Sequence, residues 1–186
     1  MAFDKDHFQK VQQEIQRHLE DTEISKLAHW NASAVYDKRN KMYIGIPATL
    51  LSVILTWLLT TNFDQILLDN IVINTLFKNA PVIISLIISI LSALGTFLNF
   101  KDLSTRHRSS AENLHVIWRD CKNWKTDFPD ESMCEKAVQM AQQYRRRINE
   151  INRDAPQIPK WAWKSVSKQK AEGSTSYSTE SNQDNN

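Results

Sequence analysis

Apolar and polar positions along this chain follow two regimes. Two windows, 42–61 and 80–100, contain no Asp, Glu, Lys or Arg, although 24% of the 186 residues are charged. They are 20 and 21 residues long. At about 1.5 Å rise per residue, each spans about 30 Å as a helix, the thickness of a bilayer's hydrocarbon core. Outside these windows the pattern is charged and periodic. Phe8, Val11, Ile15 and Leu19 recur three and four apart, which is one face of a helix. A second run, Ile24, Leu27, Trp30 or Asn31, and Ala34, has similar spacing and flows without Pro or Gly into Tyr36 and the first window. Asp21 or Thr22 is the expected cap of that second helix, with Glu23 in its first turn. Pro47, one turn inside the window, is expected to kink it by removing a backbone donor.

Past the second window, Leu114, Ile117, Trp118, Cys121, Trp124 and Phe128 form another apolar stripe, broken by Phe128-Pro129-Asp130. Met133, Ala137, Met140, Tyr144, Ile148 and Ile151 then share one face of a further helix. These two stripes are expected to bury each other as an antiparallel hairpin, with Trp118 and Tyr144 facing across it. No segment alternates with period two for long enough to suggest a sheet. The predicted fold is therefore an all-α membrane protein with two transmembrane helices. Residues 1–41 form a cytoplasmic N-terminal helical segment, 42–61 the first transmembrane helix and 62–79 an external connection. Residues 80–100 form the second transmembrane helix, and 101–154 a cytoplasmic helical hairpin. Ala155-Pro156 ends the regular region, leaving 155–186 as a mostly disordered tail, most clearly in the Ser/Thr/Asn/Gln-rich stretch 173–186.

Charge sets the expected orientation. Lys38, Arg39 and Lys41 precede the first window, and Lys101, Arg106 and Arg108 follow the second. The connection offers only Lys78 against Asp64 and Asp69. Basic residues stay on the cytoplasmic side, so both termini are expected in the cytoplasm of a multi-pass protein of a bacterial inner membrane. The first 19 residues are polar and charged, so no cleavable signal peptide is expected and the first span serves as the targeting signal. A net charge of +2 with both signs interspersed gives no reason to expect a nucleic-acid partner. Cys121 and Cys134 are the only cysteines, which excludes a disulfide scaffold, and thirteen positions apart they fit no metal-ligand spacing.

Catalytic chemistry is sparse. The glycines are Gly45, Gly95 and Gly173, so there is no phosphate-cradling loop. His7, His18, His29, His107 and His115 include no pair at His-x-x-x-His spacing, and no Ser/His/Asp or Cys/His set has local support. The expectation is a non-enzyme with no cofactor, no metal and no catalytic residue.

A polar N-terminal helix leads into Ala34-x-Tyr36-x-x-Arg39 and then Ile46-Pro47 at the start of the first span. The second span ends in Phe97-Leu98-Asn99-Phe100, followed by Arg106-His107 and a long amphipathic helix. This order resembles the SLATT domains, two-transmembrane effectors associated with SMODS nucleotidyltransferases and SLOG sensors in bacterial anti-phage systems. The resemblance covers about Phe8 to Ile151. It implies an effector of nucleotide-signalled immunity that oligomerises, forms a pore or otherwise disrupts the membrane, and causes abortive infection. It also implies a nucleotidyltransferase-linked sensor or a nucleotide messenger as partner. Many such effectors carry, or sit beside, a separate nucleotide-sensing domain, and these 186 residues are expected to leave no room for one. His107 falls where the family tends to carry a His after the second span, placed to bond a neighbouring helix or to respond to pH.

Within the windows, small and hydroxylated residues recur on one face: Ser85, Ser89, Ser92, Thr96 and Asn99 in the second, Gly45, Thr49, Ser52 and Thr56 in the first. One reading is close helix packing, since small residues let backbones approach and hydroxyls bond across the contact. The other is the lining of a polar path, which needs several protomers because two helices cannot enclose a channel. In the cytoplasmic part, Arg145, Arg146 and Arg147 either grip phosphates, of a nucleotide or of lipid headgroups, or form a solvated helix face favoured by the helix dipole. Trp161 and Trp163, flanked by Lys160 and Lys164, suit a headgroup region or a loop packed on the hairpin. The combined expectation is a membrane-breaching homo-oligomer in the lipid bilayer. The alternative is a membrane adaptor or scaffold that holds a cytoplasmic partner.

Overall fold

The computed structural model describes residues 5–61 and 71–172, the side chains of 71–74 excepted. Among them every regular element is helical, so the all-helical reading stands. The helices are α1 (Lys5–Asn40), α2 (Ile46–Thr60), α3 (Ile71–Leu98), α4 (Phe100–Asp127), α5 (Cys134–Asp154) and α6 (Lys160–Ala171). A π-helical turn, Lys41–Gly45, joins α1 to α2, and a 3₁₀ turn, Glu131–Met133, precedes α5. The chain divides into two compact units: Met1–Ala34 with Leu103–Asn186, and Val35–Asp102.

The second unit carries two helices long and apolar enough to cross a membrane. The π-turn absorbs the proline. Pro47 sits in the first turn of α2, and just before it the backbone N–H of Ile46 donates to the carbonyl of Lys41, five residues back. A wide turn at this point accommodates the missing donor and the ring that a tight α-turn would crowd. With the π-turn, α2 extends about 30 Å, and the 28 residues of α3 extend about 42 Å. Helix α3 begins at Ile71, well before the uncharged window at Ala80, so part of the expected connection is helix. The remainder, 62–70, lies outside the described residues.

Helices α2 and α3 pack antiparallel. Ile44 lies beside Gly95, and the rings of Tyr36 and Phe100 stack at 6.0 Å. The partly or fully covered positions are Ile44, Pro47, Ala48, Leu51, Leu55 and Leu58 on one side, with Ala80, Pro81, Ile84, Ile88, Leu91 and Gly95 on the other. Gly95 makes this approach close: a Cβ at this position would lie 3.1 Å from Ile44 Cγ2, so that side chain would have to shift by a few tenths of an ångström. Most other large apolar side chains are bare, as with Val53 at 63% and Leu86 at 60% exposure. The apolar window of α3 buries none of its residues inside the protein, unlike the core helix of a water-soluble fold.

The first unit is a bundle of α1, α4, α5 and α6. Its core joins Val11 and Ile15 of α1, Ile117, Cys121 and Trp124 of α4, and Ala137, Ala141 and Tyr144 of α5. The α4–α5 stripes therefore bury each other as expected, but with α1 as a third partner. Asp130 closes the break at Pro129 by accepting from Ser132 Oγ and, at 2.9 Å, from Ser132 N, and these two bonds, the side-chain one foremost, hold its carboxyl below the usual range.

Three expectations are corrected. Helix α1 does not restart at Asp21 or Thr22: it is unbroken, and Thr22 Oγ1 donates back to the carbonyl of His18 at 2.6 Å instead of capping. Trp118 does not face Tyr144. It lies under Lys26 of α1, whose Nζ is 3.0 Å from the ring centre, while Trp124 makes the edge contact with Tyr144 at 6.5 Å. The segment 155–186 is not mostly tail as far as it is described. Residues 160–171 form α6, because Ala162 and Val166, one turn apart, bury against the bundle. The stretch 173–186 lies outside the described residues.

Candidate functional site

The polar stripes occupy a definite position on the α2–α3 pair. Gly45, Thr49, Ser52 and Thr56 each follow a covered position (Ile44, Ala48, Leu51, Leu55) by one residue. Ser85, Ser89, Ser92 and Thr96 follow Ile84, Ile88, Leu91 and Gly95 in the same way. One residue is a rotation of about 100°. In an antiparallel pair, that rotation carries both stripes to the same flank. Their exposed residues thus form one polar flank beside the contact rather than the contact itself.

Each hydroxyl on this flank is bonded within its own helix. Ser85, Ser89, Ser92 and Thr96 donate to the carbonyls of Val82, Ser85, Ile88 and Ser92 at 2.8, 2.9, 2.9 and 3.2 Å. Thr49, Ser52 and Thr56 donate to Gly45, Ala48 and Ser52 at 2.8, 2.7 and 2.9 Å. A hydroxyl satisfied in this way is tolerated against lipid, yet keeps acceptor capacity for water or another helix. Asn99 does not continue the flank. It interrupts the helix between α3 and α4 with a left-handed φ of 47°, which Asn tolerates better than most residues. Ile88 is partly buried on the packed face, so it is not a lipid-facing position.

In the first unit the contact between α1 and α4 is a buried polar seam. Thr22, Lys26, His29 and Ser33 recur at spacings of four, three and four, and all are buried. His29 Nδ1 lies 2.8 Å from His107 Nδ1, with the residues 2% and 1% exposed. Alongside, Ser104 Oγ donates to the Ser33 carbonyl at 2.9 Å. Burial, then the neighbouring His107, pushes the His29 pKa down to about 4, and burial and Arg106 lower that of His107. Lys26, buried against Trp118, is pushed down to about 8, chiefly by desolvation. Sequence reasoning singled out His107 but missed His29. The available signal was that 22, 26, 29 and 33 continue the register of Val11 and Ile15, so polar residues occupy an inward face.

The basic run is dispersed. Arg145 lies 3.6 Å from Glu14, Arg147 lies 3.6 Å from Asp120, and Arg146 is exposed on α5. Arg145 and Trp163 come together in one open cleft of about 470 Å³. Asp21 lines the same cleft, so together with Glu14 it offsets the guanidinium. Cys121 and Cys134 are buried free thiols, and burial pushes Cys121 up to about 12. Among the described residues no group of three or more His, Cys, Asp or Glu is placed to hold a metal ion. No family model matches the chain, and neither a curated protein nor a solved structure matches it.

Proposed function

We propose that this chain is a two-span effector whose copies assemble in a bacterial inner membrane and open a polar path through it. Its role would be abortive infection in anti-phage immunity. The observation that carries the reading is the single polar flank of the α2–α3 pair, with Thr49, Ser52, Thr56, Ser85, Ser89, Ser92 and Thr96 on one side of an otherwise apolar hairpin. Bonded to their own carbonyls, these hydroxyls rest in lipid at little cost. Brought together by several copies, the same flank offers water a row of acceptors. One hairpin cannot enclose such a row, so the reading requires a homo-oligomer. The immune setting and the link to a nucleotide signal rest on the resemblance to SLATT domains. The placement of both termini in the cytoplasm rests on the basic flanks, Lys38, Arg39 and Lys41 before the first span and Lys101, Arg106 and Arg108 after the second.

The test is dye leakage from liposomes, or depolarisation of expressing cells, normalised to assembled oligomer. Ser89→Leu and Ser92→Leu place a bulky apolar side chain on the flank and should abolish leakage with the oligomer intact. Ile90→Leu, at a lipid-facing position 52% exposed, should be silent. Unchanged leakage per oligomer in both Ser variants removes the flank as the path. Absence of leakage from the unmutated protein under every condition favours the adaptor.

A further inference from the structure

The inward face of α1 changes character along its length. Val11 and Ile15 enter the apolar core, whereas His29 and Ser33 meet His107 and Ser104 of α4. An aliphatic pair in that position would hold the two helices equally well at any pH. A histidine pair does not. Each neutral imidazole has one N–H and one bare nitrogen. With the two Nδ1 atoms 2.8 Å apart, there is room for one proton between them. One ring donates, so the two rings carry opposite tautomers. Charging both rings puts a hydrogen on each facing nitrogen, which replaces the bond with two N–H groups and two like charges in a site closed to water.

We propose that His29 and His107 form an acid-released latch, which fastens α1 to α4 while the pair holds a single shared proton and opens when both rings are protonated.

The surroundings oppose the second charge. Arg106 flanks the pair from α4, and Lys26 lies one turn along α1 from His29. The acidic group near this part of α1, Glu23, is already paired with Lys170 of α6 at 2.8 Å. Farther along α4, burial first, and then Lys26 and Arg119, disfavour the charged form of His115. For His29 and His107 burial acts in the same direction and is the larger cause for both rings, lowering the pKa of His107 and taking that of His29 down to about 4. The neighbouring Ser33 and Ser104 hydroxyls lie 3.2 Å from each other and carry no negative charge to offset a dication. The latch stands whether or not the hairpin forms a path.

The test uses the full-length chain in detergent micelles, titrated from neutral pH to about pH 2, well below the His29 value of about 4. Imidazole NMR reports protonation, and amide hydrogen exchange, corrected for its intrinsic pH dependence, reports the contact. The expected result is that His29 and His107 stay neutral through the range where free histidine titrates, about 6.5. As both then protonate, exchange in the segments holding Ser33 and Ser104 should rise at least tenfold. His29→Gln with His107→Gln keeps a hydrogen-bonding pair without a titrating group and should show no such step. If that variant does not fold, the wild-type titration decides alone. Independent titration of both rings near 6.5, or protonation of both without faster exchange, overturns the latch. An equal step in the Gln variant overturns it too, by assigning the opening to carboxylates.

Discussion

Trp124 and Trp118 lie on the same helix and are both buried, yet they should respond differently to a change at Tyr144. Trp124 is 2% exposed, with its ring centre 4.4 Å from that of Phe128 and 6.5 Å from that of Tyr144 at an interplanar angle of 68°. Trp124→Ala removes a large aromatic from the core and should cost about 3–5 kcal/mol. Of this, the edge-to-face contact with Tyr144 should account for about 0.5–1.5 kcal/mol. A double-mutant cycle isolates that share. Tyr144→Leu is the better second substitution, because the stability of a whole domain is only about 5–15 kcal/mol and a second truncation to Ala risks unfolding it. The assay is urea unfolding of the full chain in mild detergent, followed by far-UV circular dichroism. The Trp124–Tyr144 coupling should reach about 0.5–1.5 kcal/mol. The Trp118–Tyr144 coupling should stay below about 0.5 kcal/mol, because Trp118 packs under Lys26 instead. A larger coupling for Trp118 than for Trp124 would refute the packing described for α1, α4 and α5.

Lys26→Met should stabilise the protein at pH 7, because it removes a desolvated ammonium while keeping contact with Trp118. The folded-state pKa of Lys26 is about 8 against 10.5 in the unfolded chain, so wild-type stability rises with pH across that interval; the advantage of Met should shrink from pH 8 to 10.5 in the same unfolding assay. Gly95→Leu should loosen the α2–α3 pair, since even a Cβ lies 3.1 Å from Ile44, and Ile44→Ala should restore part of the loss in an inter-helix cross-linking assay. Cysteine at Asn113, which is exposed on α4, should resist impermeant thiol reagents in intact cells, while one at Thr60, at the far end of α2, should react. Cys121 and Cys134 should stay silent in that experiment until the protein is unfolded, because both are buried.

The sequence alone determined the helical class, the two uncharged helices and the break at Pro129. These follow from local quantities: a run without charge, a three-and-four spacing, a proline. It also placed Leu114, Ile117, Cys121 and Trp124 on an inward face, because one helix period suffices to group them. It did not determine what each face meets. Periodicity gave Trp118 an inward direction but not a partner, and only the packing of α1 against α4 set it under Lys26 rather than beside Tyr144. His29 is not legible as a core residue in the sequence because a polar side chain on a helix ordinarily faces water. The energetic objection to burying an imidazole disappears only when a second one, 78 positions away, supplies the hydrogen bond. Helix α6 was missed for the same reason, since Ala162 and Val166 are too few to announce a helix until a bundle exists to bury them. The hydroxyl stripes were legible in both spans. That they share one flank was not, because it depends on which faces the antiparallel helices turn toward each other, and the pairing of Ile44 with Gly95 decides that.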